Sequence, residues 1–294
     1  VEVRWWRKNN LFVTKSGGTS VRWQATTARQ TTSGFSRETR TDFVPTNRLI
    51  TATLSNAGYS ASGIIHQTDL WEASGEQQII DIMKHEREWT PEVVWRSITQ
   101  DSYLDGLTLT RSTNPIVGLQ GAIINTGTYA GVTYAAEATW FGNGNNILTG
   151  GVHATFTTDP VASLTAAVLA GEVGSDAGDS QAFPNGIFMT YANWQSVHNA
   201  LQAQGRGSLE ASKYSTGAKD LMFMGIPIFR SRFQTASQYY VLNSNFIDFR
   251  SPAPQVLNTS KKEELSPWST ILLMVFYGMM RVTLPRAQVR VTVS

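Results

Sequence analysis

The chain contains no cysteine and only four histidines, charged residues make up 16% of it, and residues 31–73 hold no lysine. Without cysteine there are no disulfides, thiolate metal sites or cysteine nucleophiles, so stability must come from packing or assembly. His66, His85, His153 and His198 are dispersed, and none neighbours an obvious Ser or Asp partner in a recognisable catalytic order. The longest apolar run, residues 265–280, is interrupted by Pro267 and Gly278. It falls short of the roughly 20 residues a membrane helix needs. Residues 1–11 carry Trp5, Trp6, Arg4, Arg7 and Lys8 but no apolar stretch or small-residue cleavage site, so no signal peptide is expected.

The 294 residues, 41% of them hydrophobic, suffice for one large or two ordinary domains with a real core. Net charge is only +2 but unevenly placed: residues 1–50 hold nine Arg or Lys against three acids, leaving +6 there and −4 in the other 244. Such a basic arm suits either nucleic acid or acidic neighbours. Residues 1–62 are rich in Thr, Ser, Gly and Arg, with short β-type pieces and no helical apolar stripe. The expectation is a segment that cannot bury itself alone and is ordered, if at all, by neighbours.

Helix is expected from Ser74, as N-cap, with Ile79, Ile80, Met83 and Arg87 at helical spacing. Thr90 and Pro91 look like the cap and first position of a renewed helix carrying Val94, Trp95 and Ile98; together the two parts make one long helix, with room for a kink at Pro91, that ends at Asp105 and Gly106. The uncharged, Gly/Thr/Asn-rich residues 112–136 suggest loops and short strands. Further helices are expected over 159–169 and 192–204, a buried strand over 187–189, and a C-terminal strand with Val289, Val291 and Val293 on one face. The class is mixed α+β without a βαβ repeat.

The catalytic patterns break at nameable residues. His85 and Glu86 begin a zinc-protease helix motif, but Trp89 occupies the second histidine position, leaving His85 an exposed helix residue. Gly142, Asn143 and Gly144 open a dinucleotide-type run, but Ile147 replaces the third glycine; a hairpin turn is the better reading. Glu172, Asp176 and Asp179 lack calcium-loop spacing and suggest a solvated acidic loop. Asn258, Thr259 and Ser260 match a glycosylation sequon too short to mean much. No catalytic residue, cofactor or metal ligand is expected, and the chain is not expected to be an enzyme.

Several passages, in order, carry a more specific likeness: ITQDSYLDG (98–106), GLQGAIINTGTYAGVTYA (118–135), FPNGIFMTYANWQSVHNAL (183–201), MFMGIPIF (222–229), YYVLNSNFIDF (239–249) and WSTILLMVFYGMMRVTLPRAQVRV (268–291). Read together, they resemble the Hong Kong 97-like family of tailed-phage major capsid proteins. The resemblance implies an N-terminal arm (1–30), an extended β-hairpin loop with adjoining strands (31–73), a spine helix (74–105) in a peripheral domain, an axial domain (106–230), peripheral-domain strands and loop (231–284) and a final strand returning to the axial domain (285–294). The first 73 residues match by position and character rather than by motif.

In function, the likeness implies a structural subunit of an icosahedral bacteriophage head, a virion protein assembled in the host cytoplasm. Its implied partners are copies of itself as pentamers and hexamers, scaffold, portal and cement proteins, and double-stranded DNA held by nonspecific contact, with no membrane. Some family members are cross-linked through a lysine of the extended loop; the lysine-free 31–73 argues against that route here. Inter-subunit contacts are expected at Arg37, Glu38, Arg40, Asp42 and Arg48 in the loop and at Lys261, Lys262, Glu263 and Glu264 before the last strands. An encapsulin-type compartment, a β-rich tail or receptor-binding protein, and a hydrolase with a scattered triad remain open alternatives.

Overall fold

The computed structural model describes residues 11–14, 18–26, 49–72, 76–106, 115–174, 183–203, 221–235, 237–252, 258–263 and 269–293. In chain order the first strands are β1 (Phe12–Thr14), β2 (Ser20–Thr26), β3 (Leu49–Ser55) and β4 (Ala57–His66), followed by helices α1 (Gln67–Glu72) and α2 (Glu76–Asp101). Next come α3 (Leu119–Ala122), the small hairpin β5 (Thr128–Tyr129) and β6 (Val132–Thr133), α4 (Ala138–Phe141), β7 (Ile147–Leu148) and α5 (Pro160–Gly174). Then follow β8 (Gly186–Met189), α6 (Tyr191–Ala203), β9 (Leu221–Phe223), β10 (Ile226–Arg230), β11 (Gln238–Leu242) and β12 (Ile247–Ser251). The last strands are β13 (Asn258–Glu263), β14 (Ser269–Val282) and β15 (Val289–Thr292).

The apolar run near the C-terminus forms β14, the axis of a five-stranded sheet. One edge of β14 pairs with β4 from Ser269–His66 to Gly278–Ala57. Its other edge takes β13 along the first half and β12 along the last, and β1 adds to β12 in parallel. Helix α2 lies on this sheet through Val94 and Ile98, both buried. Gly63 of β4 permits the approach: a Cβ there would lie 2.8 Å from the Thr90 hydroxyl.

The long helix expected across Thr90 and Pro91 is present, without a fresh cap at Thr90. α2 runs through Pro91 as one helix of 26 residues, and the Thr90 hydroxyl donates to the Glu86 carbonyl at 2.8 Å instead of capping. The packing of Val94 and Ile98 into the core beyond Thr90 outweighs the local preference of Thr90 for capping. The helix ends at buried Asp101, whose Oδ2 accepts from the Tyr59 hydroxyl at 2.7 Å; that hydroxyl accepts in turn from the Ile116 amide at 2.9 Å. Gly106, expected as the stop, lies beyond the helix with φ +70°. The Ser74 cap falls outside the described residues.

A second sheet has six strands in the order β7-β15-β11-β8-β10-β9. Helices α5 and α6 cover one face with Leu164, Ala167, Val168, Trp194, Val197 and Leu201. The opposite face, with Phe188, Tyr240 and Leu242, merges into the core that also holds the five-stranded sheet. Strand β8 is buried at all four positions, as a strand covered on both faces must be. In β15 and just beyond it, Val289, Val291 and Val293 are buried, as their alternation implies.

Three boundaries read from the sequence are corrected. β11, expected among the strands of 231–284 as part of the peripheral domain, pairs with β8 and β15 in the six-stranded sheet. A continuous aromatic and aliphatic run such as Tyr239, Tyr240, Val241 and Leu242 suits a buried strand in either sheet and does not reveal its neighbours. Strand β2, which begins at Ser20 within the 1–30 expected as an arm, pairs with β3 in a two-stranded ribbon, so regular structure starts before the boundary expected at 31. Gly142, Asn143 and Gly144 are not a hairpin: Gly142 (φ +88°) ends α4, and Asn143 and Gly144 continue the left-handed exit to β7. Both turn types need positive φ and draw on the same residues.

Candidate assembly surfaces

The ribbon's root is amphipathic. In β2, Val21, Trp23 and Ala25 are buried and Arg22, Gln24 and Thr26 exposed, and in β3 Ala52 and Leu54 are buried. Those five buried residues join the subunit's own main core. The Thr53 amide also donates to the Ala130 carbonyl at 2.8 Å, tying β3 to the β5–β6 turn. This corrects the expectation that the segment is ordered only by neighbours: the apolar residues of β2 and β3 are few, but all except Leu49 at the far end fall on the face that packs on the subunit's own core. Thr26 and Leu49 are paired at the distal end, where the chain leaves and re-enters the described structure.

Beneath the ribbon sits a charged cluster. Asp248 of β12 accepts from Arg250 Nε at 2.9 Å and from Arg281 Nε at 2.8 Å, with Arg281 Nη2 on its second oxygen. The Arg281 guanidinium lies 5.7 Å from the centroid of the Trp23 ring. All three charged side chains are at most 16% exposed, so the pairing is little screened by solvent.

Of the expected contact residues, Arg37, Glu38, Arg40, Asp42, Arg48 and Glu264 lie outside the described residues. Lys261, Lys262 and Glu263 fall on β13, opposite Leu272, Ile271 and Thr270 of β14. Among the described residues β13 has only β14 as a partner, which makes it a sheet edge, and lysine on an edge discourages indiscriminate strand addition.

Exposed apolar side chains mark other faces. Ile64 on β4, Trp71 on α1, and Trp89 and Val93 on α2 are exposed, with the His85 ring stacked on Trp89 at 6.0 Å. On the six-stranded lobe, Val152, Leu169 and Val173 are exposed on one flank and Met222 and Met224 on the other. A cleft of about 340 Å³ opens between the turn after α4 and the end of α5, lined by Thr139, Asn143, Leu169, Val173 and Arg286 among others.

One polar chain escaped the reading of the histidines. His153 Nδ1 lies 2.7 Å from Ser163 Oγ, which lies 2.8 Å from the Tyr239 hydroxyl. All three are buried, and burial lowers the His153 pKa from its ordinary 6.5. Burial likewise raises the phenol pKa of Tyr239. A neutral imidazole and a protonated phenol, with a serine of 0% exposure between them, make a structural strut joining α5 to β11 rather than a reachable nucleophile. The spacing of 10 and 76 residues gives no local signal. Among the described residues, no group of three or more His, Asp or Glu could hold a metal ion, and no helix is long and apolar enough to cross a membrane.

A two-stranded ribbon, a long helix laid on a long-stranded sheet, and a second layered lobe together make the fold of phage capsid subunits. The chain matches the Cyanophage A-1(L) capsid with a TM-score of 0.66 at 15% identity, over 97% of this chain and 92% of that one. It matches the capsid of the native GTA particle with a TM-score of 0.66 at 13% identity, over 98% and 89%. A chain from Mycobacterium phage Bobi matches with a TM-score of 0.61 at 12% identity, over 97% and 89%. No protein-family profile and no curated protein matches by sequence.

Proposed function

We propose that this chain is the major capsid protein of a tailed double-stranded DNA phage, with the Hong Kong 97-like fold, and that copies of it assemble as pentamers and hexamers into an icosahedral head enclosing the genome. The observation that carries this reading is the fold match to assembled capsids over nearly the whole chain. The role is structural rather than enzymatic; in its support, the one serine–histidine pair among the polar contacts described is buried.

On this reading the six-stranded lobe is the axial domain, and the five-stranded sheet with α2 is the peripheral domain with its spine helix. The β2–β3 ribbon is the root of the extended loop. Arg37, Glu38, Arg40, Asp42 and Arg48 beyond that root, and Lys261, Lys262, Glu263 and Glu264 around β13, are the proposed inter-subunit contacts. The particle forms in the host cytoplasm with scaffold, portal and cement partners, and the basic N-terminal arm meets DNA without sequence preference. Many modest contacts repeated in a closed shell give it stability while each remains weak enough to correct errors.

Electron microscopy of the expressed protein tests this. Closed shells of megadalton mass are expected; monodisperse monomers or trimers would sink the proposal. Shells that enclose protein instead of DNA would favour the encapsulin-type compartment.

A further inference from the structure

The two flanks of the six-stranded lobe are unlike and complementary. On the β7–β15 flank, the cleft between α4 and α5 is bordered by exposed Leu169 and Val173. Residues 137–174, which build most of that flank, hold Glu137, Asp159 and Glu172 and no Lys or Arg; Arg286, which lines the cleft, and Arg290 of β15 leave the flank at a net charge of −1. On the β9–β10 flank a two-residue hairpin turn presents Met222 and Met224, 40% and 51% exposed. The described residues 183–203 and 221–235 on that side hold Arg230 and Arg232 and no Asp or Glu.

Met224 has φ +50° and is followed by Gly225 at +79°. This is a mirror-image hairpin turn, whose first position favours Asn, Asp or Gly. A long apolar side chain held in left-handed backbone, and half exposed, is an outlier that folding alone does not explain.

We infer that the β9–β10 hairpin of one subunit, led by Met224, seats in the α4–α5 cleft of the next copy of this chain. Flexible thioether side chains suit an irregular apolar cleft. Two β9–β10 flanks brought together would set Arg230 and Arg232 against their own copies, whereas the β7–β15 flank, at −1, accepts them; charge thus favours the head-to-tail pairing. Because knob and cleft lie on opposite flanks of one layer, the contact is head-to-tail, the type that closes into rings. The inference rests on the reading of the chain as a shell subunit and names the surfaces by which its axial lobes meet.

The absence of native cysteine makes the test clean. The cleft lies beside β15 and the hairpin at β10, three strands away in the sheet order. Three strand spacings are about 14 Å, too far for a disulfide within one chain. A chain carrying both Thr139→Cys and Met224→Cys, assembled and mildly oxidised, is expected to give a reductant-sensitive ladder on denaturing gels up to five and six chains. Neither single variant should do so. Shells without a ladder would overturn this contact and leave the capsid reading standing, whereas a wild-type chain that never associates overturns both. Met224→Asn supplies a second reading, since asparagine is at home in this turn. Its melting midpoint should hold while the concentration needed for assembly rises about tenfold, the scale of losing one buried interface side chain; assembly at the wild-type concentration would count against the seat.

Discussion

The Arg281 guanidinium lies over Trp23 at 5.7 Å, joining the ribbon root to the end of the long central strand. The same guanidinium is held from below by Asp248. Trp23 therefore packs on a cation whose position is fixed by a paired carboxylate, and the ribbon leaves the body at a set angle.

Arg281→Met keeps much of the packing but strands Asp248 with Arg250 as its remaining partner. The expected loss is about 2–3 kcal/mol, the scale of charge-assisted hydrogen bonds removed from a largely buried group. Urea unfolding of R281M, D248N and the double variant should give a non-additive cycle; simple additivity would show that the pair is not coupled.

Two glycines hold close approaches of different kinds. A Cβ at Gly63 would meet the far end of Glu86 and the Thr90 hydroxyl, whereas at Gly118 it would run into the carbonyl oxygens of Leu104, Asp101 and Ser102. Side chains can swing away and backbone cannot. Gly63→Ala should cost about 1–2 kcal/mol and Gly118→Ala more than about 3 kcal/mol. Melting curves of the two variants decide the order.

Asn146 fastens the closing strand. Its Nδ2 donates to the Pro285 and Gln288 carbonyls at 3.0 and 3.1 Å, and its own carbonyl accepts from the Arg290 amide at 2.9 Å. Asn146→Asp loses both side-chain donors and sets a carboxylate against two carbonyls in a buried place. The expectation is a loss of about 3 kcal/mol or more, exceeding that of Asn146→Ala, as read from denaturant midpoints.

Acid should loosen the strut of His153, Ser163 and Tyr239. Burial sets the folded-state pKa of His153 below 6.5, so the unfolded chain takes up its proton first as the pH drops. The contribution of this residue to stability is full above about pH 6.5 and is lost as pH falls through the folded pKa. Urea midpoints measured from about pH 7.5 down to 5 should decline less steeply in His153→Gln than in the wild type. Equal slopes would exclude His153 as the source.

Local pattern carried much of the fold. The apolar run of β14, the alternation of Val289, Val291 and Val293, and the spacing of Trp194, Val197 and Leu201 each identify an element and its buried face. What stayed hidden is nonlocal. Nothing near Tyr239 tells which sheet takes β11, and nothing near Trp23 announces Arg281, 258 positions away. Thr90 and Pro91 were legible as helix on both sides, but not that Thr90 would turn its hydroxyl back to the Glu86 carbonyl instead of capping a new start. Of the site, the charged residues could be proposed from sequence, but the complementary flanks emerge only when strand order sets Met224 and Thr139 apart.

The pairing of Thr26 with Leu49 at the far end of the ribbon has a practical side. Thr26 and Leu49 are adjacent across the ribbon, and 22 residues of sequence, 27–48, join them. Lengthening such a connection adds only the slowly growing entropy of loop closure. Guest peptides spliced there would separate folding from assembly: the subunit would fold as before, while shells would suffer wherever the guest displaces Arg37, Glu38, Arg40, Asp42 or Arg48 from the contacts proposed for them.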